Sequence, residues 1–347
     1  MKIICYLGTG GVGKTSVAAA TALAVARTGK RSMVLTTDPS LRLRTALGIA
    51  GGVTEQRVPL DDPNAGELWA SLLDVRATLD EAVRLYAKHS TSDRILNHSI
   101  YASIAGSLAG MGELMAVERI DQLIQQGFEH IVIDTAPSRH ALEILDKPEL
   151  FATISSSRKV KFVGRTYQLA AGLGLTAIGK GAVDIAGRVE SILGVNLVRQ
   201  ILDFYSLFYP IAEGYSKRAQ KTVAMLRDPA ITEFRVVTMP QKALRDAAFF
   251  TEELTARRFK IGAFCVNRAW LHPFPDTVPR GLAGEVLDWY KSVSDSHREE
   301  IWKLKRAYAD QAREIQVFSE LDHDVDGVKA LEKLADQMHL QAPAGVI

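Results

Sequence analysis

The stretch KIICYLGTGGVGKT, residues 2–15, decides how this chain folds. An apolar run comes first, and it is followed by four glycines and then by Lys14 and Thr15. Glycines let backbone N–H groups converge on phosphate oxygens, and a helix that begins directly after them adds the positive end of its dipole. The spacing from Gly8 to Gly13 and on to the lysine and threonine therefore predicts a phosphate-binding loop between a strand and a helix.

Two aspartates that follow apolar runs are candidates for chemistry beside this loop. Asp134 directly follows the run HIVI, and Asp38 follows VLTT. Ligands bind at the carboxyl ends of strands in parallel sheets, so both carboxylates are expected near the loop. We expect Lys14 to act on the β- and γ-phosphates and Asp38 on the attacking water, and Thr15 and Asp134 to bind Mg²⁺. The alternative for each aspartate is a cap of a turn or a helix.

Short apolar runs alternate with helical patterns along the chain. The predicted strands are 2–7, 31–38, 67–74, 130–136, 234–239, 260–267 and 314–318. Several of these runs are continuously apolar, as in strands that are covered on both faces. Helices are predicted at 14–28 and 243–258, and an amphipathic docking helix at 327–340. This order predicts an α/β fold with a doubly wound, mostly parallel sheet.

Two regions depart from this alternation of strands and helices. Residues 75–128 are predicted to be helical, and residues 150–230 carry no clear strand over a span too long for a simple crossover. We therefore interpret 150–230 as an inserted helical subdomain. The nucleotide-binding domain is then formed by residues 1–149 and 231–347.

Composition excludes several classes of protein. The 42 Lys and Arg residues nearly balance 40 Asp and Glu, so no basic field indicates nucleic acid as a partner. The two cysteines, Cys5 and Cys265, lie inside apolar runs, which disfavours a cysteine-based metal or arsenite site and indicates a reducing compartment. With no signal peptide pattern at the N-terminus, we predict a cytoplasmic protein.

Three segments carry a resemblance to a known family. GTGGVGKT (8–15), TTDPSLRL (36–43) and DTAPSRHALEIL (134–145) occur in this order and resemble the ArsA family of ATPases. That family includes bacterial arsenite-pump ATPases and the eukaryotic targeting factor for tail-anchored membrane proteins. Residues 234–268 are similar to the family's late strand–helix–strand unit, so the resemblance covers most of the chain.

The resemblance implies that ATP or ADP binds at the loop together with Mg²⁺. It assigns the phosphates to the loop residues Gly8, Thr9, Gly10, Gly11, Val12, Gly13, Lys14, Thr15 and Ser16. It also implies that Asn267 reads the adenine edge through its amide, with Arg268 beside it. The segment 318–320 around Phe318 is implied to wall the base from the other side. An ordinary turn position is the alternative for Asn267.

At one position the sequence departs from the family in a way that bears on turnover. The second residue of the loop is Thr9, where family members usually carry a lysine that reaches the partner's phosphates across a dimer interface. A cation at the γ-phosphate is worth about 10³–10⁵ in rate in other NTPases, so one interpretation is slow hydrolysis. The other is that Arg42, Arg44 or Arg139 supplies the cation, and the alternative for each arginine is a charge in solvent.

The resemblance also implies a homodimer, because this chain carries one nucleotide loop whereas arsenite-pump ATPases fuse two halves. Residues 169–208 are rich in apolar side chains, and burial against the ATPase domain would explain most of them. The resemblance to tail-anchored targeting factors, in which a comparable insert builds a groove, implies a hydrophobic client helix or a membrane-protein partner instead. The first functional interpretation is a chaperone or targeting ATPase for hydrophobic segments. The alternatives are an ATPase subunit that energises anion or metalloid export, and a structural switch that binds ATP with little turnover.

Overall fold

The computed structural model describes residues 1–38, 40, 42–49, 54–107, 111–136, 142, 146, 195–271, 281–308 and 310–338. The chain divides into two compact units. The first consists of Met1–Leu73, Leu123–Ala141 and Met225–Ile347, and the second of Asp74–Gln122 and Leu142–Ala224.

The first unit is built on one sheet. Its strands are β1 (Lys2–Leu7), β2 (Ser32–Thr36), β3 (Glu55–Val58), β4 (Leu68–Leu72), β5 (His130–Asp134), β6 (Thr232–Thr238), β7 (Ile261–Ala269) and β8 (Ala312–Ser319). Their order across the sheet is β3-β4-β2-β5-β1-β6-β7-β8. Neighbouring strands are parallel except for β3 and β4, which are antiparallel. The predicted α/β fold with a mostly parallel sheet is confirmed.

The helices connect these strands or form the second unit. In chain order they are α1 (Lys14–Arg27), α2 (Arg42–Leu47), α3 (Val75–Tyr86), α4 (His89–Leu96), α5 (Ser99–Ser107), α6 (Gly112–Gln125), α7 (Val195–Arg227), α8 (Ala243–Ala256), α9 (Leu282–Tyr308) and α10 (Val328–Ala335). A short 3-10 turn, Pro240–Lys242, precedes α8.

The sequence left three of these elements unpredicted: strand β3, the short helix α2 and helix α9. The edge strand β3 has the sequence EQRV, whose polar residues give little alternation of apolar side chains. The long helix α9 follows a segment, 272–280, that lies outside the described residues. Each predicted strand is present, with ends that differ by a few residues.

Small side chains bring helix α1 close to the sheet. Ala18, Ala19 and Ala20 are fully buried there, in a core that also contains Val12 and Phe318. Because this core is closely packed on both sides of the loop, the N-terminus of α1 is held at the carboxyl end of β1. That placement puts the glycine loop at the sheet edge where ligands bind in such folds.

The second unit is helical in the residues that the structure describes. Its described elements are α3, α4 and α5, nearly all of α6, and α7 up to Ala224, so the predicted helical character of 75–128 is confirmed. Asp74 caps α3 by accepting a 2.9 Å hydrogen bond from the backbone N–H of Ala77. Tyr215 donates a 2.9 Å hydrogen bond to the Leu114 carbonyl and so joins α7 to α6.

Part of the predicted helical insert can be compared with the structure. Residues 195–227 form one helix, whereas 151–194 lie outside the described residues. Among the helices described here, none combines the length and the hydrophobicity needed to cross a membrane.

Candidate nucleotide-binding site

A cavity of about 780 Å³ opens at the carboxyl end of the sheet, beside the glycine loop. It is lined by Gly11, Gly13, Lys14, Thr15, Ser16, Asp38, Arg42, Thr45, Ala46, Asn267, Arg268, Leu334 and residues 319–325. Sites for cofactors and small ligands commonly have volumes in this range. The structure therefore brings most of the predicted site residues to one cavity.

The backbone of the loop requires glycine at its last position. Gly13 has a φ of +87°, in the left-handed region, and a Cβ there would collide with the Asn267 amide. A Cβ at Gly8 would collide with the Val237 carbonyl of β6 in the same way. Gly10 is exposed with open space around it, and Val12 is buried in the core, so Val12 faces the nucleotide side only through its backbone.

Lys14 is the buried cation of the site, with 5% of its surface exposed. Its Nζ donates a 3.2 Å hydrogen bond to the carbonyl oxygen of Thr9. Burial lowers the pKa of Lys14, and the nearby carboxylates of Asp134 and Asp38 oppose that shift. A buried ammonium at the start of a helix offers a binding position for a phosphate.

Thr15 lines the cavity, and behind it lies Asp134, which is fully buried and does not itself line the cavity. The Thr15 hydroxyl donates a 2.8 Å hydrogen bond to Oδ2 of Asp134, and the Thr36 hydroxyl donates one of 3.0 Å to the same oxygen. Oδ1 of Asp134 is buried and has no hydrogen-bond partner among the described residues. Burial raises the pKa of Asp134 to about 6. A hydroxyl beside a carboxylate with a spare buried oxygen fits Mg²⁺, which prefers oxygen ligands.

Asp38 lines the cavity and also caps a local turn. Its Oδ1 accepts a 2.9 Å hydrogen bond from the backbone N–H of Ser40, while Oδ2 lies 4.0 Å from the Arg42 guanidinium. The Arg42 side chain is 61% exposed and lines the cavity, whereas Arg44, two residues further along α2, does not line it. Arg139, the third arginine considered from the sequence, lies outside the described residues.

The other end of the cavity is formed by the end of β7. Asn267 is 6% exposed, and its Nδ2 donates a 3.0 Å hydrogen bond to the Val12 carbonyl, which leaves its Oδ1 as an acceptor. Arg268 has a φ of +59° and lies with its Nε 3.9 Å from a carboxylate oxygen of Glu320. The side chain of Phe318 is fully buried in the core and does not line the cavity.

Of the predicted wall segment 318–320, Ser319 and Glu320 line the cavity and Phe318 does not. Residues 319–325 line the cavity, and they include Glu320, Asp322, His323 and Asp324. Sequence reasoning reached only as far as residue 320. A cluster of polar residues directly after a strand is the signal that could have extended the prediction.

Thr9, like Val12 and Phe318, is a predicted site residue whose side chain does not line the cavity. Its hydroxyl donates a 3.2 Å hydrogen bond to Oδ2 of Asp246, and Thr9 does not line the cavity. Asp246 lies in the first turn of α8 and is 3% exposed. Sequence reasoning did not identify Asp246, because nothing local distinguishes it from an ordinary acidic residue at the start of a helix.

A glycine loop that follows β1 and opens α1, with a carboxylate at the end of β5, defines a phosphate-loop NTPase fold. The sequence profile of the anion-transporting ATPases, the ArsA ATPases, matches residues 1–340. This chain belongs to that family.

Individual relatives agree with this assignment. A Chlorobaculum tepidum protein that is provisionally named an arsenical pump-driving ATPase is 31% identical over 150 residues, which are 43% of this chain and 36% of that relative. The chain thus spans about a third of that relative's length. ATPase ARSA2 of Chlamydomonas reinhardtii is 25% identical over 96% of this chain and 83% of its own. ATPase get3 of Schizosaccharomyces pombe is 23% identical over 82% of this chain and 78% of its own.

Proposed function

We propose that this protein is a Mg²⁺-dependent ATPase whose catalytic site is the cavity beside the glycine loop. The observation that carries the proposal is the contact of the Thr15 hydroxyl with the Asp134 carboxylate, 2.8 Å long, next to the buried Lys14. A hydroxyl, a carboxylate and a lysine at the start of a helix are the groups that hold a metal–nucleotide complex in phosphate-loop enzymes. Membership in a family of ATPases supports the same activity.

Each side chain has a role that follows from its place in the cavity. Lys14 exchanges the Thr9 carbonyl for phosphate oxygens, and Asp38 orients the attacking water. Thr15 and Asp134 hold Mg²⁺, which when bound neutralises charge on the phosphoryl oxygens. Asn267 presents its free Oδ1, a hydrogen-bond acceptor, to an amino group such as the one on adenine.

The rate of hydrolysis depends on the cation at the γ-phosphate. Thr9 carries no charge and its hydroxyl contacts Asp246, so the loop itself offers only Lys14 as a cation. Arg42 lines the cavity and is the candidate for an additional cation. We propose slow turnover that is partly supported by this arginine.

The proposed assembly is a homodimer that closes on ATP and binds a hydrophobic segment of a membrane protein in the cytoplasm. The second unit supports the client part of this proposal, because it contains a cavity of about 200 Å³ with nearly wholly apolar walls. Leu79, Met115 and Phe208 are among the residues that line it. The predicted contact region 169–208 lies largely outside the described residues.

A second candidate is an ATPase subunit that energises anion or metalloid export. The family's description as anion-transporting ATPases favours it. Among the described residues, no group of three or more His, Cys, Asp or Glu side chains is arranged to hold a metal ion.

Phosphate release from ATP in the presence of Mg²⁺ tests the proposal for the enzyme. We expect turnover that is lost on chelation and in Lys14→Ala, with Lys329→Ala as an exposed control on α10. Tight ATP binding without any Lys14-dependent phosphate release would instead support a structural switch. Absence of both binding and turnover would contradict an ATP site altogether.

A photo-crosslinking peptide tests the proposal for the client. A helix of about 20 apolar residues is long enough to span a bilayer and serves as the probe. We expect crosslinks in the second unit with ATP and not with ADP, and none from a peptide with two central lysines. Equal labelling by both peptides would contradict a hydrophobic client site.

A further inference from the structure

The side chain of Thr9 joins the phosphate loop to a helix outside the cavity. Its hydroxyl donates a 3.2 Å hydrogen bond to Oδ2 of Asp246 in α8. The backbone carbonyl of the same residue accepts a 3.2 Å hydrogen bond from Nζ of Lys14. Thr9 is therefore held from two sides, by a carboxylate through its side chain and by the site lysine through its backbone.

Asp246 is buried, and hydrogen bonds from two hydroxyl groups restrict the movement of its side chain. It is 3% exposed, and a second hydroxyl, that of Thr238 at the end of β6, donates a 2.8 Å hydrogen bond to the same oxygen, Oδ2. The first turn of a helix is a favourable position for a carboxylate, because the backbone N–H groups there are unpaired and the helix dipole is positive. Two hydroxyl donors and a helix start thus hold this buried side chain in one orientation.

The two contacts of Thr9 differ in what happens when a nucleotide binds. Lys14 turns to the phosphate and gives up the Thr9 carbonyl, so one of the two contacts is lost. The contact with Asp246 lies outside the cavity, and a phosphate does not compete for it. Asp246 then holds the first half of the loop while Lys14 is engaged.

We propose that Asp246 is a positioning residue of the nucleotide site, which acts through the Thr9 hydroxyl to keep the phosphate loop in its binding conformation. The inference rests on the proposed nucleotide function. A loop that is already ordered loses less conformational entropy on binding, so Asp246 raises affinity without touching the ligand. Its effect should fall on nucleotide binding and KM, and kcat should change little.

Thr9→Val and Asp246→Asn test this role of Asp246, with Thr238→Val as a matched control. Thr9→Val removes the hydroxyl at nearly constant volume, and Thr238→Val removes the other hydroxyl from the same carboxylate oxygen without altering the loop. Thr9→Ser keeps the hydroxyl and should behave as the original protein does. The full chain is used throughout, with amide hydrogen exchange of residues 8–15 and the affinity for a fluorescent ATP analogue as measurements.

We expect Thr9→Val and Asp246→Asn each to speed exchange of the loop amides and to weaken binding of the analogue about fivefold to tenfold, somewhat less than the full value of one hydrogen bond to a charged group, because the contact acts on the loop and not on the ligand. Thr238→Val should have a clearly smaller effect on both measurements, because the Thr9 hydroxyl still contacts Asp246 in that variant. The double variant Thr9→Val/Asp246→Asn should bind the analogue no more weakly than either single variant. Unchanged exchange in Thr9→Val, additive losses, or an equal effect of Thr238→Val would overturn the inference. If the chain binds no ATP, the proposed function is refuted, but hydrogen exchange of the loop amides still tests whether Asp246 holds the loop.

Discussion

Thr15 and Asp134 are 119 residues apart in the chain, yet the threonine hydroxyl lies 2.8 Å from the aspartate carboxylate. Thr15 lies in the first turn of α1, and Asp134 is the last residue of β5. Because β1 and β5 are adjacent parallel strands, their carboxyl ends meet at one edge of the sheet. The metal site that we propose is a direct consequence of this pairing.

Removing either metal-binding group should abolish most of the activity that depends on Mg²⁺. We expect Thr15→Val and Asp134→Asn each to lower turnover by about 10²-fold or more, because charge on the phosphoryl oxygens is then poorly compensated. Thr36→Val is the comparison, since Thr36 donates to the same Asp134 oxygen but, unlike Thr15, does not line the cavity. Its hydroxyl also accepts a hydrogen bond from the backbone N–H of Asp38, so we expect a smaller loss of turnover there rather than none. Comparable losses in all three variants, measured by phosphate release across a Mg²⁺ titration, would argue against a metal site.

Arg42 is expected to contribute the additional cation. In Arg42→Ala, kcat should fall about tenfold or more, a fraction of the effect of a full arginine finger, because Arg42 lines the cavity but is largely exposed. Arg44→Ala should remain within about twofold, since charges away from the phosphates contribute little. Steady-state kinetics with saturating Mg²⁺–ATP provide the comparison, and an unchanged kcat in Arg42→Ala would eliminate this role.

Asn267 should determine affinity for the base rather than the rate of hydrolysis. Its Nδ2 is engaged by the Val12 carbonyl, so Oδ1 faces the ligand as an acceptor. We expect Asn267→Ala to raise KM for ATP by about tenfold, roughly the value of one or two hydrogen bonds, and to narrow the preference for ATP over GTP. Competition of ATP and GTP for a fluorescent nucleotide measures both effects. A preference that persists in the variant would place base recognition elsewhere.

Substitution of Phe318 should mainly lower stability, whereas substitution of Leu321 should mainly weaken nucleotide binding. Phe318 is fully buried in the core, so Phe318→Ala should lower the free energy of unfolding by about 3–5 kcal/mol. Leu321 lines the cavity at its surface, and Leu321→Ala should weaken nucleotide binding with a smaller loss of stability. Urea denaturation and nucleotide titration on both variants test this division. The reverse pattern would restore Phe318 as a wall of the base site.

His130 should make the nucleotide-free protein sensitive to mild acid. Burial, with the positive charge of Lys30 nearby, lowers its pKa to about 4 from the model-compound value of 6.5. The folded state thus favours the neutral ring, so the stability it contributes is complete above about pH 6.5 and is lost as the pH falls towards 4. After a discount for its partial exposure, the loss amounts to about 1 kcal/mol.

The comparison variant for this effect is His130→Gln. Between pH 7 and pH 5 the original chain should lose more free energy of unfolding than the variant does, as measured by urea denaturation at each pH. If both proteins lose the same free energy of unfolding between pH 7 and pH 5, groups other than His130 cause the acid sensitivity.

Local patterns in the sequence were sufficient for the main sheet and for the loop. Continuous apolar runs indicate buried parallel strands, and the glycine–lysine–threonine spacing indicates a phosphate-binding loop, because both depend on the residues of one segment and its immediate neighbours. The same patterns could not predict β3, whose four residues are mostly polar. Its place at the sheet edge is decided by pairing with β4.

The partners of individual side chains were decided by the tertiary structure alone. The sequence determined that Lys14, Thr15, Asp38 and Asp134 belong to one site, since each follows a strand of a parallel sheet. It could not determine that the Thr9 hydroxyl meets Asp246, 237 residues away, or that Phe318 turns into the core while residues 319–325 line the cavity. Such contacts depend on how β6, α8 and β8 pack after the chain has folded, and packing over that distance leaves no periodic signal in the sequence.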